Sequence, residues 1–264
     1  MEKLNEEQLL DCAQMSVQAE FLKKSMPQLI LKYPNLTRDE AYEIQTIREK
    51  LITDMGHRLI GYKMGSTSMQ KRRQMGSVMC SYGRLFDYML LNQDAPLKIE
   101  ELIHPKAEPE ITFVLKHDLT GPNVTSAEVM YATDYVVASL EIIDSRYDGF
   151  KFTGPDAVAD NISGSRVKLG SVRLNPNELD LALLGVKVSV NGEDLEFGTG
   201  AAVLGHPARS VAELANMVYK QRGAFLRAGQ IIMTGGITAA RALKPGDKMK
   251  ACFAYLGTIE LGVI

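Results

Sequence analysis

The first part of the chain follows a helical pattern of apolar positions. Apolar side chains recur about every 3.6 residues from Leu9 to Leu22, the spacing that places them on one face of a helix. Pro34 interrupts this pattern. A second helix is predicted from Thr37, because Thr37 and Glu40 have the spacing of a capping box. The pattern therefore predicts a helical N-terminal region over residues 1–56.

From His57 onward the pattern becomes that of strands and turns. Strands are predicted at 58–63, 111–116, 135–143, 230–234, 248–255 and 258–263. Residues 186–197 predict a hairpin, because Asn191-Gly192 favours the positive φ angles of a type I′ turn. One helix is predicted at 210–222, with Ser210 and Glu213 as its capping box and Gly223 at its C-cap. The sequence thus predicts an α+β protein whose β-rich domain spans residues 57–264.

Composition excludes several classes of function. The 264 residues carry a formal net charge of -2 without a basic tract, which argues against a nucleic-acid partner. The three cysteines, Cys12, Cys80 and Cys252, lack the spacing of a disulfide framework or a thiolate zinc site. The polar N-terminus does not resemble a signal peptide, and no apolar run reaches the roughly 18 residues of a membrane span. We therefore expect a cytoplasmic protein without a membrane partner.

Candidate chemistry lies in three acidic residues. In a strand, residues two apart point to the same side, so Glu108 and Glu110 are predicted to present two carboxylates on one face. By themselves they could be a solvated pair on an exposed edge. Glu141 lies within the apolar run 135–143, where an ionised carboxylate needs a cation. That cation could be a protein side chain, with Arg146 and Lys63 as the candidates, or a metal ion.

The ligand chemistry favours a hard divalent ion. Three carboxylates without clustered His or Cys suit Mg²⁺ or Mn²⁺, and three protein ligands would leave positions for water and substrate. The four histidines show no zinc-binding spacing, and no GxGxxG or GxxxxGK[ST] motif predicts a nucleotide site.

An ordered set of motifs resembles a known enzyme family. The motifs are GYKMGSTS (61–68), YGRLFD (82–87), HPKAEPEITFVL (104–115), YVVASLEIIDSRYDGFKF (135–152), ADNISGSR (159–166), GTGAAVLGHPARSVAELAN (198–216) and IIMTGGITAA (231–240). They resemble the 2-oxopent-4-enoate hydratase and 4-oxalocrotonate decarboxylase family of the fumarylacetoacetate hydrolase superfamily. The resemblance implies a mixed β-sheet roll with flanking helices, and it implies that Glu108, Glu110 and Glu141 are the metal ligands.

Within that family the motifs resemble the decarboxylase branch. The hydratases tend to carry a Gly-Asn-Pro segment and a Ser-Gly-Ala-type segment, whereas this chain has Gly205-His206-Pro207 and the segment 234–238 (TGGIT). The implied substrate is (E)-2-oxohex-3-enedioate and the implied product is 2-hydroxypenta-2,4-dienoate, a step in the meta-cleavage degradation of catechols. A bound metal would polarise the ketone, so that no organic cofactor is needed.

The resemblance also implies roles for other residues. Lys63 is implied to bind a substrate carboxylate or to transfer a proton, with Asp87 as its candidate proton-handling partner. The candidate substrate-binding residues are Ser66, Ser163, Thr234, Gly235 and Gly236. Each also has a structural interpretation: Lys63 as a surface lysine, Asp87 and Ser163 as turn residues, and the glycines as a tight turn. Asp144 and Arg146 are predicted to form an ion pair that supports the Glu141 strand.

Three other functions compete. The first is the hydratase reaction on 2-hydroxypentadienoate. The second is an acylpyruvate-type C–C hydrolase, which usually needs a His–Glu pair to activate water, and residues 57–80 show no HxxxE-like pair. The third is a non-catalytic binding protein stabilised by a metal. The resemblance further implies a homo-oligomer that could associate with the hydratase of its pathway.

Overall fold

A computed structural model describes residues 3–69 and 79–264, so part of the segment 57–80 lies outside the described residues. The helices are α1 (Glu6–Leu22), α2 (Leu29–Lys32), α3 (Arg38–Asp54), α4 (Ser126–Ala132), α5 (Gly154–Ala159) and α6 (Pro207–Arg222). The strands are β1 (Leu59–Gly65), β2 (Ser81–Phe86), β3 (Lys106–Leu115), β4 (Thr133–Ile143), β5 (Gly164–Leu174), β6 (Gly185–Val190), β7 (Glu193–Thr199), β8 (Ile231–Met233), β9 (Arg241–Ala242), β10 (Lys248–Phe253) and β11 (Gly257–Gly262).

The N-terminal helices form as the sequence predicts. Thr37 and Glu40 make the predicted capping box at the start of α3, and Asn5 and Gln8 make a second one at the start of α1. Helix α3 is fastened to the β-rich part by Gln45, whose buried amide donates hydrogen bonds to the carbonyls of Tyr82 and Val158. The helices therefore pack against the strands, and the predicted division at residue 57 stays a prediction.

The larger sheet carries the candidate site. Within the described residues its strand order is β2-β1-β8-β3-β4-β5, with β9 also paired to β3. Strands β1 and β8 are parallel, whereas the other pairings are antiparallel. The sheet is therefore mixed, as the resemblance implies. Strands β3 and β4 lie at its centre, and most of their side chains are buried, so a polar side chain in the middle of either strand is removed from water.

The smaller sheet has the order β11-β10-β6-β7 in the part of the chain that the structure describes. The predicted hairpin joins β6 to β7, and its turn residues Asn191 and Gly192 have φ angles of 53° and 89°. Both values are positive, which confirms the type I′ turn. Of the helices in the described residues, none has the length and apolar character to cross a bilayer.

Helix α6 differs from its prediction at one end. Gly223 ends it with a φ of 60°, as predicted. At the other end the helix begins at Pro207, and His206 is the cap, because its Nδ1 accepts a hydrogen bond from the Ala208 N–H. The predicted Ser210–Glu213 capping box is wrong. Ser210 is buried within the helix and donates to the Thr234 carbonyl at 2.7 Å, so it ties α6 to the end of β8.

The predicted Asp144–Arg146 ion pair is also wrong. Arg146 is fully buried and pairs with Asp160, with Nε 2.6 Å from Oδ1. The Asp144 carboxylate instead accepts hydrogen bonds from the N–H groups of Ile103 and His104. Asp160 also accepts a hydrogen bond from Ser16 on α1, so the buried pair joins the N-terminal helices to the segment that follows α5.

We expect Arg146→Met to lower the free energy of unfolding by about 3–5 kcal/mol, because it leaves the Asp160 carboxylate buried without its cation. The matched control is Lys187→Met. Lys187 pairs with Asp194 at 3.1 Å on the surface, where both side chains are nearly half exposed, and its loss should change stability by less than about 1 kcal/mol. Urea unfolding checks both values. Equal effects of the two substitutions would contradict a structural role of the buried pair.

Candidate active site

Three carboxylates meet on one face of the central strands. Glu108 and Glu110 are two positions apart on β3, and Glu141 on β4 lies directly opposite Glu108 in the antiparallel register. Directly opposed residues share a face, as do residues two apart on one strand. One oxygen from each of the three carboxylates lies within 4.8 Å of the others. The strand register alone therefore brings together the predicted metal ligands.

Burial makes this cluster electrostatically unfavourable by itself. Glu110 is 0% exposed and Glu141 1% exposed. Within the described residues, Glu110 Oε1 and both carboxylate oxygens of Glu141 are buried without a hydrogen-bond partner. Burial, with repulsion from Glu141 and Glu108, raises the pKa of Glu110 well above 4.5. Buried oxygens without donors, on residues of like charge, fit a hard cation.

Lys63 balances only part of this charge. Its Nζ lies 2.9 Å from Glu141 Oε1, in an ion pair without hydrogen-bond geometry, and donates to the Ile162 carbonyl at 2.9 Å. Of the two protein cations that the sequence offers to Glu141, Lys63 is therefore the one in contact, and Arg146 pairs elsewhere. The Lys63 ammonium still leaves Glu110 Oε1 and Glu141 Oε2 without a hydrogen-bond donor. These two oxygens therefore remain suited to bind a metal ion.

Two glycines let the loop after β8 approach the carboxylates. The Gly235 N–H donates to Glu110 Oε2 at 2.7 Å. A Cβ at Gly235 would overlap Thr67 Oγ1, and its φ of 108° is one that L-residues rarely adopt. A Cβ at Gly236 would overlap the Glu108 carboxylate. The backbone of this pair therefore lies against Glu108 and Glu110, two of the predicted metal ligands.

A cavity of about 520 Å³ opens beside the cluster. Its polar lining includes Lys63, Ser66, Thr67, Ser68, Ser81, Glu108, Ser163, Glu196, Gly235, Gly236 and Thr238. Its apolar lining includes Met64, Ile143, Phe150, Phe152, Ile162, Phe197 and Ile237. The cavity therefore combines a charged, hydrogen-bonding part with aromatic and aliphatic walls, as expected of a site for a small organic anion.

Two predicted site residues, Asp87 and Thr234, belong neither to this lining nor to the carboxylate cluster. Lys63 is aligned with Gly83 in the β1–β2 pair, so Asp87 follows four residues, or roughly 13 Å, farther along the strand. Asp87 contacts His57 and Arg58 instead, and its predicted pairing with Lys63 is therefore absent. Thr234 is fully buried, and its Oγ1 donates to the Ile111 carbonyl at 2.8 Å. Its side chain thus supports the sheet.

Sequence reasoning missed the conformation of the segment that carries Ser163. Asn161, Ile162 and Ser163 have φ angles of 53°, 50° and 56°, three consecutive left-handed residues. This conformation costs roughly 1–2 kcal/mol per residue for L-amino acids. Asn161 stabilises it by accepting a hydrogen bond from the Arg84 N–H and donating one to the Arg84 carbonyl. In the sequence, Asn161 alone suggested a positive φ in this segment, because Asn adopts positive φ more often than most residues, whereas a β-branched Ile rarely does.

Comparison with known proteins places this site in a family. The family model described as the fumarylacetoacetate hydrolase C-terminal domain matches residues 92–264. The chain belongs to the fumarylacetoacetate hydrolase family. The match includes β3, β4 and β8, so the carboxylate cluster of this family member lies within the matched residues.

Curated relatives of this family member cover almost its whole length. A 4-oxalocrotonate decarboxylase from Pseudomonas putida is 43% identical over 257 residues, covering 97% of each chain. A 2-keto-4-pentenoate hydratase from Paraburkholderia xenovorans (strain LB400) is 37% identical over 250 residues, covering 95% of this chain and 93% of the hydratase. These relatives confirm the predicted group of decarboxylases and hydratases within the family.

A solved structure supports the fold over the full length. The structure described as 4-oxalocrotonate decarboxylase from Pseudomonas putida G7, complexed with magnesium and adipate, has a TM-score of 0.96 and 40% sequence identity, and each chain is covered completely. The predicted fold of this family member, a mixed-sheet α+β fold with an N-terminal helical region, is confirmed.

We expect Glu110→Gln to stabilise the metal-free family member by about 1–3 kcal/mol at neutral pH and to abolish stabilisation by Mg²⁺. Because burial and the neighbouring carboxylates raise the pKa of Glu110, the folded protein binds this proton more tightly than the unfolded chain does. The metal-free wild type should therefore lose stability as the pH rises from 4.5 through the raised pKa of Glu110. Thermal unfolding between pH 5 and 9, with and without Mg²⁺, measures both effects.

The control for this experiment is Glu193→Gln, an exposed residue at the start of β7, which should retain the wild-type pH profile and response to Mg²⁺. A Glu110→Gln protein that is less stable than the wild type at pH 8, or that Mg²⁺ still stabilises, would refute a metal-binding role for this buried carboxylate.

We expect Gly236→Ala to weaken Mg²⁺ binding by tenfold or more, because the added methyl group occupies space held by the Glu108 carboxylate. The control is Gly192→Ala, because a Cβ at Gly192 would meet open space. The φ of 89° at Gly192 makes this substitution unfavourable for folding, but Mg²⁺ affinity should be unchanged. Isothermal titration calorimetry with Mg²⁺ measures the affinity. Unchanged Mg²⁺ binding in Gly236→Ala would place the metal away from Glu108.

Proposed function

We propose that this protein is a metal-dependent decarboxylase that converts 4-oxalocrotonate, (E)-2-oxohex-3-enedioate, into 2-hydroxypenta-2,4-dienoate and CO₂. The observation that carries the proposal is the buried carboxylate cluster beside a cavity with apolar walls. The full-length similarity to decarboxylases supports this chemistry over that of more distant members of the family. The reaction breaks the bond between C5 and C6, moves its electron pair through the conjugated chain towards the 2-oxo oxygen, and adds one proton there.

Glu108, Glu110 and Glu141 would hold the metal, which we propose to be Mg²⁺, with Mn²⁺ as an alternative of similar ligand preference. When bound, such an ion supplies a Lewis acid at the 2-oxo end of the substrate. The similar decarboxylase structure with magnesium and adipate supports both the metal and a dicarboxylate of this length. The Gly235 N–H fixes one oxygen of Glu110, so this ligand is oriented before any ion binds.

Lys63 is the proposed catalytic side chain. Of the described residues that line the cavity, it alone carries a cationic group. Its ammonium is held by Glu141 and the Ile162 carbonyl at the wall nearest the carboxylate cluster. It can therefore bind the negative charge that develops on the substrate oxygen or supply the proton that this oxygen takes up. Ser66 and Ser163 offer hydroxyl groups to the substrate from the same part of the lining.

The apolar walls favour loss of CO₂. Phe150, Phe152 and Ile237 form a part of the wall whose side chains offer no group that could solvate a carboxylate. A carboxylate placed against them would lose hydration, whereas the departing CO₂ is uncharged, so this environment favours the carbon–carbon cleavage. No histidine is among the described lining residues, which disfavours an acylpyruvate hydrolase that uses a His–Glu pair to activate water.

The second candidate is the hydratase reaction on 2-hydroxypentadienoate. The observation in its favour is the hydratase relative, which is 37% identical and covers 95% of this chain. Both reactions involve the same conjugated 2-hydroxydienoate, so one site could serve either. The higher identity to the decarboxylases and the Gly205-His206-Pro207 segment place it second.

The proposed function is tested by following both reactions with one preparation. We expect CO₂ release from 4-oxalocrotonate to fall at least a hundredfold in EDTA and to return on addition of Mg²⁺. The reason is that the carboxylates hold the ion, and the ion supplies the Lewis acid at the 2-oxo group. Glu141→Gln should abolish turnover, whereas Glu196→Gln, a carboxylate of the lining outside the cluster, should retain it. Hydration of 2-hydroxypentadienoate is measured under the same conditions.

Fast hydration without CO₂ release would favour the hydratase. Turnover that is unaffected by EDTA would refute the metal dependence. The absence of turnover with any 2-oxo acid, despite tight Mg²⁺ binding, would favour the non-catalytic binding protein. The cytoplasmic location stays a prediction from the composition, and the homo-oligomeric state and an association with the pathway hydratase stay predictions from the resemblance.

A further inference from the structure

The left-handed turn at residues 161–163 is bonded directly to the candidate active site. Its central residue, Ile162, contributes the carbonyl that accepts a hydrogen bond from Lys63 Nζ at 2.9 Å. The same Nζ lies 2.9 Å from Glu141 Oε1. The Lys63 ammonium is therefore held between one member of the carboxylate cluster and a backbone carbonyl outside it.

Several contacts fix the turn in this unusual conformation. The Ser163 N–H donates to the Asp160 carbonyl at 2.9 Å, and the Ser163 carbonyl accepts from the Asp144 N–H at 2.7 Å. The Asn161 side chain bonds both backbone groups of Arg84, at 2.6 Å and 2.9 Å. The neighbouring β2 residue, Gly83, has no Cβ, which would otherwise collide with the Asn161 carbonyl. Hydrogen bonds with Asp160, Asp144 and Arg84 thus stabilise a backbone conformation that is unfavourable by itself.

Lys63 and a metal ion would be attracted to the same carboxylates. A lysine has a flexible four-carbon stem, so an unrestrained ammonium can move towards the greatest negative charge. Here that charge belongs to the carboxylate cluster, in which three oxygens of Glu110 and Glu141 lack a hydrogen-bond donor among the described residues. An ammonium at that position would compete with a divalent cation. The Ile162 carbonyl gives it another acceptor at the edge of the cluster.

We propose that the turn 161–163 keeps the Lys63 ammonium beside the carboxylate cluster, so that the space between the carboxylates remains open to the metal ion. Asn161 is then a positioning residue, because it acts on the metal site only through the turn and Lys63. This inference rests on the metal site of the proposed function. It assigns to the turn a role in metal affinity, in addition to the place of Ser163 in the cavity lining.

A double-mutant cycle tests the proposal, with Mg²⁺ affinity measured by isothermal titration calorimetry. Asn161→Ala should weaken Mg²⁺ binding about tenfold, because the released turn no longer restrains the ammonium. In the Lys63→Met background the same Asn161→Ala change should leave Mg²⁺ affinity unchanged, because the competing cation is gone. If Asn161 only maintained the shape of the site, its loss would weaken binding equally in both backgrounds.

Gln45→Ala is the matched control. It also removes a buried amide, which donates to the carbonyls of Tyr82 on β2 and Val158 on α5 and accepts from the Arg84 guanidinium, but it bonds neither the turn nor Lys63. Gln45→Ala should therefore change Mg²⁺ affinity little or not at all, and by the same amount in the wild-type and Lys63→Met backgrounds. Thermal unfolding establishes that each variant is folded. If Asn161→Ala does not fold, Asn161→Gly, which tolerates the positive φ but lacks the side-chain bonds, replaces it.

The outcomes separate this inference from the proposed function. No Mg²⁺ binding by the wild type would refute the metal site itself. The positioning role would be refuted if Asn161→Ala weakened Mg²⁺ binding equally in the wild-type and Lys63→Met backgrounds. It would also be refuted if Asn161→Ala did not weaken Mg²⁺ binding at all. Either result would leave the metal site intact.

Discussion

The structure depends on the repulsion between carboxylates that two buried strands place on one face. The register of β3 and β4 sets Glu108 opposite Glu141, and the pleat adds Glu110 to the same side. Glu110 and Glu141 stay removed from water, because both strands lie in the middle of the larger sheet. This repulsion is relieved by a proton on Glu110 or by a cation bound among the carboxylates. Lys63 resolves part of it, and the remaining oxygens without donors have the geometry of a metal site that is formed before its ion arrives.

The surrounding elements hold this unfavourable cluster in place. The loop after β8 contributes the Gly235 N–H, and Ser210 on α6 holds the preceding residue of that loop. The N-terminal helices contribute through Asp160, which receives hydrogen bonds from Ser16 and from the buried Arg146. Asp160 directly precedes the left-handed turn, so the helical region supports the segment that holds Lys63. Contacts elsewhere in the fold thus stabilise the strained turn at 161–163 and the buried carboxylate cluster.

Sequence reasoning predicted features that depend on short-range patterns. The helices at the N-terminus, the type I′ hairpin and the three carboxylates all follow from periodicity, turn chemistry or the presence of Glu141 in an apolar run. It was wrong where a residue's partner lies far away in sequence. Ser210 has the spacing of a cap, yet it bonds the Thr234 carbonyl, and Arg146 pairs with Asp160 in place of the nearby Asp144. The three left-handed residues at 161–163 were missed, because tertiary contacts with Arg84 override the preference of Ile162 for negative φ.

The parallel pairing of β1 with β8 has a consequence for synthesis. Strand β8 inserts between β1 and β3, although about 120 residues separate it from β3 along the chain. The Gly235 N–H that orients Glu110 follows β8 directly, so a chain leaving the ribosome already contains all three carboxylates but lacks this part of the pocket. Until β8 is made, the edges of β1 and β3 that pair with it lack a strand partner, and unpaired edges of this kind are where β-rich chains associate wrongly.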